Sequence, residues 1–242
     1  RDVERSRGLG DVYKRQLLCS TLSTLILCGT CMTHISANSI EQENTNTAVI
    51  SSDEIIVETS PDLKQLAKDM NLNVVTFEKV VELNTISTYS NSNNKSYEKT
   101  VENYFLTDEQ AARLAQSSTQ QQYIFTYAAT AYATITYDTY IGKDSITYGR
   151  LTSASGGVTD LDMGWQIKNQ KVTLGTFGAY DGNPLTQQLV TYNTDYLKWG
   201  KYIAPSSWKY VNMQGYHNVG IANTITAKHG SQIYNAQFNC QV

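Results

Sequence analysis

The residues able to do chemistry are few. Asp160 and Asp162 stand two apart in "TDLDMGW", and two histidines, His217 and His229, fall near the end of the chain. Two carboxylates at that spacing share one face of a strand. Such a pair can act as acid and base in glycoside hydrolysis, or lend oxygens to a Ca²⁺ ion. No further ligand set accompanies them, so they are weak candidates for a metal or hydrolase site. A hydrolase triad would need a histidine beside a serine and an acid, and the chain has no G-x-S-x-G elbow. "CGTC", Cys28 to Cys31, has the C-x-x-C spacing but sits in an apolar leader and lacks the βαβ setting that makes it a redox site. Cys240 reads as a small buried hydrophobe. No cofactor is expected.

The aromatic residues are more informative. The chain has 17 Tyr and three Trp. Trp199, Trp208 and Tyr210 bracket "YIAPSSWKY", and Tyr132 and Tyr140 lie along a hydroxyl-rich strand. Exposed rings beside Asn, Gln and Thr hold sugars by stacking and fixed hydrogen bonds. These five are the candidate binding residues. Trp165 is expected in the core.

Strands must position them. From Tyr123 the hydrophobic period is two: odd positions to Tyr137 are Tyr, Phe, Ala or Ile, and even ones are mainly Thr. That spacing predicts a strand with one apolar face. Turns are expected at "GKDS" (142–145), "SASGG" (153–157) and "YDGNP" (180–184). Further strands are expected at 161–167, 172–174, 188–192, 196–202, 219–228 and 232–240. His229-Gly230 predicts a tight hairpin turn, with Gly supplying positive φ. Residues 119–242 therefore predict an antiparallel β-sandwich, Ig-like or jelly-roll-like.

Upstream, residues 54–118 predict a helical segment. Ser60-Pro61 is an N-cap followed by Pro, and Leu63, Leu66, Ala67 and Met70 form a stripe. Val74, Phe77, Val80 and Val81 also fit helical spacing, which predicts a helical hairpin. Thr107 and Gln110 have the capping-box spacing of a third helix. Residues 38–53 are polar and aperiodic and predict a flexible linker.

The first residues concern address rather than fold. "DVYKRQ", Asp11 to Gln16, resembles one reading frame of a sequencing-library adaptor, which sets residues 1–16 apart from fold reasoning. Leu17 to Cys31 carries no charge and is shorter than the roughly 20 residues of a membrane-spanning helix. It has the length of a signal-peptide core, and Ile35-Ser36-Ala37 predicts cleavage after Ala37. From Asn38 onward 14 Lys plus Arg stand against 19 Asp plus Glu. A mildly acidic chain without a basic block is a poor nucleic-acid binder. An exported chain left with one cysteine points to a bacterium of the Gram-positive type.

"YGRLTSASGGV" (148–158), "KVTLG" (171–175), "YIAPSSWKYV" (202–211) and "GIANTITAKHGS" (220–231) resemble a loose group of secreted β-rich proteins of Gram-positive bacteria. The resemblance implies a β fold and an extracellular address and carries no functional residue. The expected function is an exported, non-catalytic binding or surface-interaction protein for a glycan or the cell envelope. Two alternatives stay open. One is a membrane-active toxin, since the strand from Tyr123 is long enough to cross lipid. The other is a hydrolase using Asp160 and Asp162.

Overall fold

The computed structural model describes residues 46–50, 53–83, 94–117, 123–159, 164–180 and 184–242. The signal-peptide region, Ala37, Asp160 and Asp162 lie outside the described residues. The fold is an antiparallel β-sandwich with two short helices.

Sheet B contains β2 (Ile55–Val57), β3 (Asn73–Leu83), β4 (Asn94–Leu106), β6 (Ala129–Ile141), β7 (Thr147–Thr159), β10 (Lys198–Ile203) and β11 (Val211–Asn212). Its order is β10-β7-β6-β4-β3-β2, with β11 also pairing β7. Sheet C contains β8 (Trp165–Ala179), β9 (Leu185–Thr194), β12 (Asn218–His229) and β13 (Gln232–Gln241), in the order β13-β12-β8-β9. A ribbon of β1 (Asn46–Ile50) and β5 (Tyr123–Tyr127) is separate from both.

The alternation expected from Tyr123 onward holds along β6, where Ala129, Ala131, Ala133, Ile135 and Tyr137 are all buried. They share one core with Leu151, Ala154 and Val158 of β7, Val172 and Leu174 of β8, Ile221 and Ile225 of β12, and Phe238 and Cys240 of β13. Each large side chain fully buried there contributes roughly 1.5–3 kcal/mol. The toxin alternative takes this apolar face for lipid contact; in the fold it is the sandwich interior. The turn at 229–230 forms as expected: His229 pairs Gln232, and Gly230 has φ 58°.

Residues 54–118 differ from the expected helical segment. Helix α1 (Pro61–Asp69) forms, with Ser60 Oγ accepting from the Leu63 amide at 3.3 Å. Helix α2 (Asp108–Ser117) also forms. Its capping box is reciprocal: Gln110 N–H donates to Thr107 Oγ1 (3.2 Å), and Thr107 N–H donates to Gln110 Oε1 (2.9 Å). Between them, however, the expected second helix is strand β3, and 94–106 is strand β4. Val74, Phe77, Val80 and Val81 fit a helical stripe, but Val74, Val75, Thr76, Val80 and Val81 are β-branched and lose χ1 freedom in a helix. An eleven-residue register with β4 completes the choice. These strands continue sheet B, so no domain boundary falls at 119, and residues 43–242 form one compact unit. Part of the expected linker is also a strand, β1, paired along its whole length with β5.

"SASGG" is not a turn but the middle of β7. Glycine is needed there for close approach: a Cβ on Gly156 would lie 2.6 Å from the Trp199 ring and 2.4 Å from Tyr132 O. Helix α1 buries Leu63, Leu66 and Ala67, and Ser60 Oγ donates to Gln237 O on β13 at 2.8 Å. Helix α2 and the β1–β5 ribbon cover a second cluster, Phe77, Tyr104 and Leu106, on the outside of sheet B.

Candidate binding face

The expected binding rings divide into two groups. Trp199 and Trp208 are 4% and 8% exposed, so neither is the exposed platform expected of them. Trp199 lies over Gly156 and stacks on Tyr202 (5.3 Å, 6°), which stacks in turn on Tyr192 (4.1 Å, 7°). Flat apolar indoles next to a glycine in the core are worth more buried than wet.

Tyr140 and Tyr210 do come together, on the outer face of sheet B. Their rings meet edge-on at 5.0 Å, Tyr140 stacks on Tyr148 at 5.2 Å, and the Arg150 guanidinium lies 4.5 Å over Tyr210. Arg150 also donates to Ser206 O (2.9 Å) and Trp208 O (3.3 Å), and lies 3.9 Å from Asp138. Asp138 accepts from Ser96 Oγ at 2.6 Å. Tyr148 donates to Asp144, and that bond, with the Ile146 amide, holds the Asp144 carboxyl below its usual range. Burial raises the Tyr210 phenol, against the Arg150 charge. The arrangement fastens the 204–210 segment to the sheet and leaves few ring faces free. Tyr132 stands eight residues from Tyr140 on β6, roughly 26 Å away at strand rise. Its phenol is raised by burial and by nearby Glu102.

Next to Tyr132 on the outer face stands Glu102. Glu54, Glu78, Lys79, Thr100 and Glu102 line a cavity of about 140 Å³. Lys79 lies 3.6 Å from Glu54, and Tyr104 Oη donates to Glu102 at 2.8 Å. Lys99 and Glu78, 2.9 Å apart, lie on the other face with Val101, where Lys99 also donates to Gln241 O of β13. Burial raises the Glu102 carboxyl, partly offset by the Tyr104 bond. Among the described residues no group of His, Cys, Asp and Glu is placed to hold a metal ion. The histidines have other engagements: His217 Nδ1 lies 2.7 Å from Gly215 O, and the His229 ring stacks on Trp165. Cys240 is fully buried, which pushes its thiol up to about 12.

The outer face of sheet C is different. Its four strands contain no Asp or Glu. Register places Leu189 beside Gly175, Gln187 beside Phe177 and Leu185 beside Ala179, with Asn218 on the far side of Phe177. Leu185, Leu189 and Tyr216 are 58%, 53% and 80% exposed, and Tyr216 meets Phe177 edge-on at 5.3 Å. Beyond this apolar end the side chains are hydroxyls and amides. Thr173 and Thr191 pair at 3.0 Å, Thr226 donates to Asn235 at 2.8 Å, and Asn218 donates to Gln241 at 2.7 Å. Strand spacing of about 4.8 Å and side-chain spacing of about 6.8 Å along each strand make this a regular grid of donors and acceptors.

Sequence reasoning located this face's strands but not the face. Phe177 and Tyr216 are separated by 39 positions and gain meaning only when β8 lies beside the start of β12. One signal was legible: from Gly164 to Val242 the chain has six lysines and only two acids, Asp181 and Asp195. Comparison of the chain with protein-family models, curated proteins and solved structures gives no match.

Proposed function

We propose that the protein is an exported, non-catalytic binding module of a Gram-positive-type cell envelope, and that it takes a glycan on the outer face of sheet C. The observation that supports this reading is the conjunction of Phe177 and Tyr216 with an acid-free grid of Thr, Asn and Gln. Stacking rings plus directional hydroxyl and amide groups is the chemistry that a polyhydroxyl ligand requires. The short uncharged apolar run Leu17 to Cys31 and the resemblance to secreted β-rich proteins support the address.

The test is retention of the purified protein on cell walls and insoluble polysaccharides. A Phe177→Ala/Tyr216→Ala variant is expected to lose retention while keeping its circular dichroism. Loss in a Tyr140→Ala/Tyr210→Ala variant instead would move the site to sheet B. A protein that binds no matrix removes the reading.

A further inference from the structure

Lys64 on α1, Arg113 on α2 and, in sheet B, Lys79, Lys95, Lys99 and Arg150 each lie within 4.0 Å of a carboxylate, whereas Lys68, Lys143, Lys198, Lys201 and Lys209 form no ion pair among the described residues. Sheet C differs in that its strands carry lysines and no carboxylate at all. On sheet C, Lys168, Lys171 and Lys228 form no ion pair among the described residues. Lys171 projects from the same face as Thr173, opposite Thr224, and Lys228 pairs with Gln166. Lys168 Nζ donates to Gln166 Oε1 at 2.8 Å, so all three ammonium groups lie on the outer side of the sheet. Four residues and one strand spacing separate Lys171 from Lys228, or roughly 14 Å.

We propose that the ligand of this face is an anionic sugar or polyol polymer, its backbone bridged by phosphodiesters. This rests on the glycan reading above and narrows it. Three ammonium groups without counter-charges, on a face of four strands without a carboxylate, make a field of one sign. Such a field selects anionic over neutral chains and speeds their encounter. Thr224 and Thr226 of β12, bonded to Gln237 and Asn235 of β13, lie in the span from Lys171 to Lys228 and bond the polyol between its phosphates, while Phe177 and Tyr216 stack beyond Lys171 at the far end.

The experiment titrates the purified protein with polyglycerol phosphate, with dextran as a neutral polymer, and with phosphatidylglycerol vesicles. Polyglycerol phosphate is expected to bind, and to weaken roughly tenfold between about 10 mM and about 150 mM salt, as the screening length falls from about 30 Å to about 8 Å. Lys171→Gln/Lys228→Gln is expected to cost about tenfold at low salt, and Lys64→Gln/Lys68→Gln on α1 less than about twofold. Dextran binding of equal strength and no salt dependence overturns the anionic assignment and leaves the glycan reading standing. Vesicle binding without polymer binding overturns it in favour of a lipid surface. Equal losses from the two lysine pairs overturn the site. Binding of neither polymer nor vesicle overturns both proposals.

Discussion

The outer faces of the two sheets use polar residues in opposite ways. On sheet B, the charges beside the ring cluster and the α2 side are paired: Arg150 holds Asp138, Ser206 O, Trp208 O and the Tyr210 ring, and Lys79 holds Glu54. On sheet C the polar groups are mostly neutral, pair with neighbours on adjacent strands, and leave the lysines open. Sheet B also carries extra cover, since helix α2 and the β1–β5 ribbon pack over Phe77 and Tyr104. A face whose side chains are tied to one another is structural. A face whose side chains keep unspent hydrogen-bonding and charge capacity is available to a partner.

This contrast gives graded expectations for single substitutions. Both sheets share one core, so the largest loss falls there. Ile135→Ala removes a side chain with no exposure and is expected to cost about 2–5 kcal/mol in urea denaturation. Next comes Arg150→Ala, which leaves two carbonyls and Asp138 without their cation. Its expected cost is about 1.5–3 kcal/mol, the range of hydrogen bonds to a charged group. A loss under 0.5 kcal/mol would break the claim that the sheet B face is structural.

Glu102→Gln has a smaller effect with a defined sign. Burial raises this carboxyl in the folded state, so its favourable contribution is complete below the ordinary glutamate value of about 4.3 and is lost as pH rises through the raised value. Gln at this position keeps an acceptor for Tyr104 and carries no charge. The variant is expected to melt at or above the wild-type temperature at pH 7, with a flatter melting profile above about pH 4.3. A lower melting temperature at pH 7 contradicts the burial argument. Smallest of all are Leu189→Ala, Tyr216→Ala and Lys171→Gln on sheet C, each expected within about 0.5 kcal/mol of wild type. A larger loss would mean that this face, too, is structural.

Much of the architecture was legible because period two is a strong signal in β6, β12 and β13, and because caps are local. Ser60-Pro61 and Thr107 with Gln110 act as the sequence suggests, since each bond spans three residues. The failures have a common cause in long-range pairing. Val74 to Leu83 satisfies two periods, and only the presence of β4 decides between them. "SASGG" carries turn residues, yet its glycines serve the close passage of β10 and Trp199 across β7. Trp199 and Trp208 were expected outside because they cluster with polar residues, but Trp199 is covered where β10 passes over Gly156 of β7, and both rings join the shared core. The sheet C face was missed because its two aromatics come from β8 and from the segment that precedes β12.

The bond from Ser60 to Gln237 O joins residues 177 positions apart. Helix α1 has its apolar stripe against β13, and β13 itself supplies Phe238 and Cys240 to the core. Neither the helix nor the last strand is covered until the other arrives. The sandwich is thus closed by a clasp between helix α1 and strand β13, which lie 163 positions or more apart in the chain. Pairings this distant make folding slow.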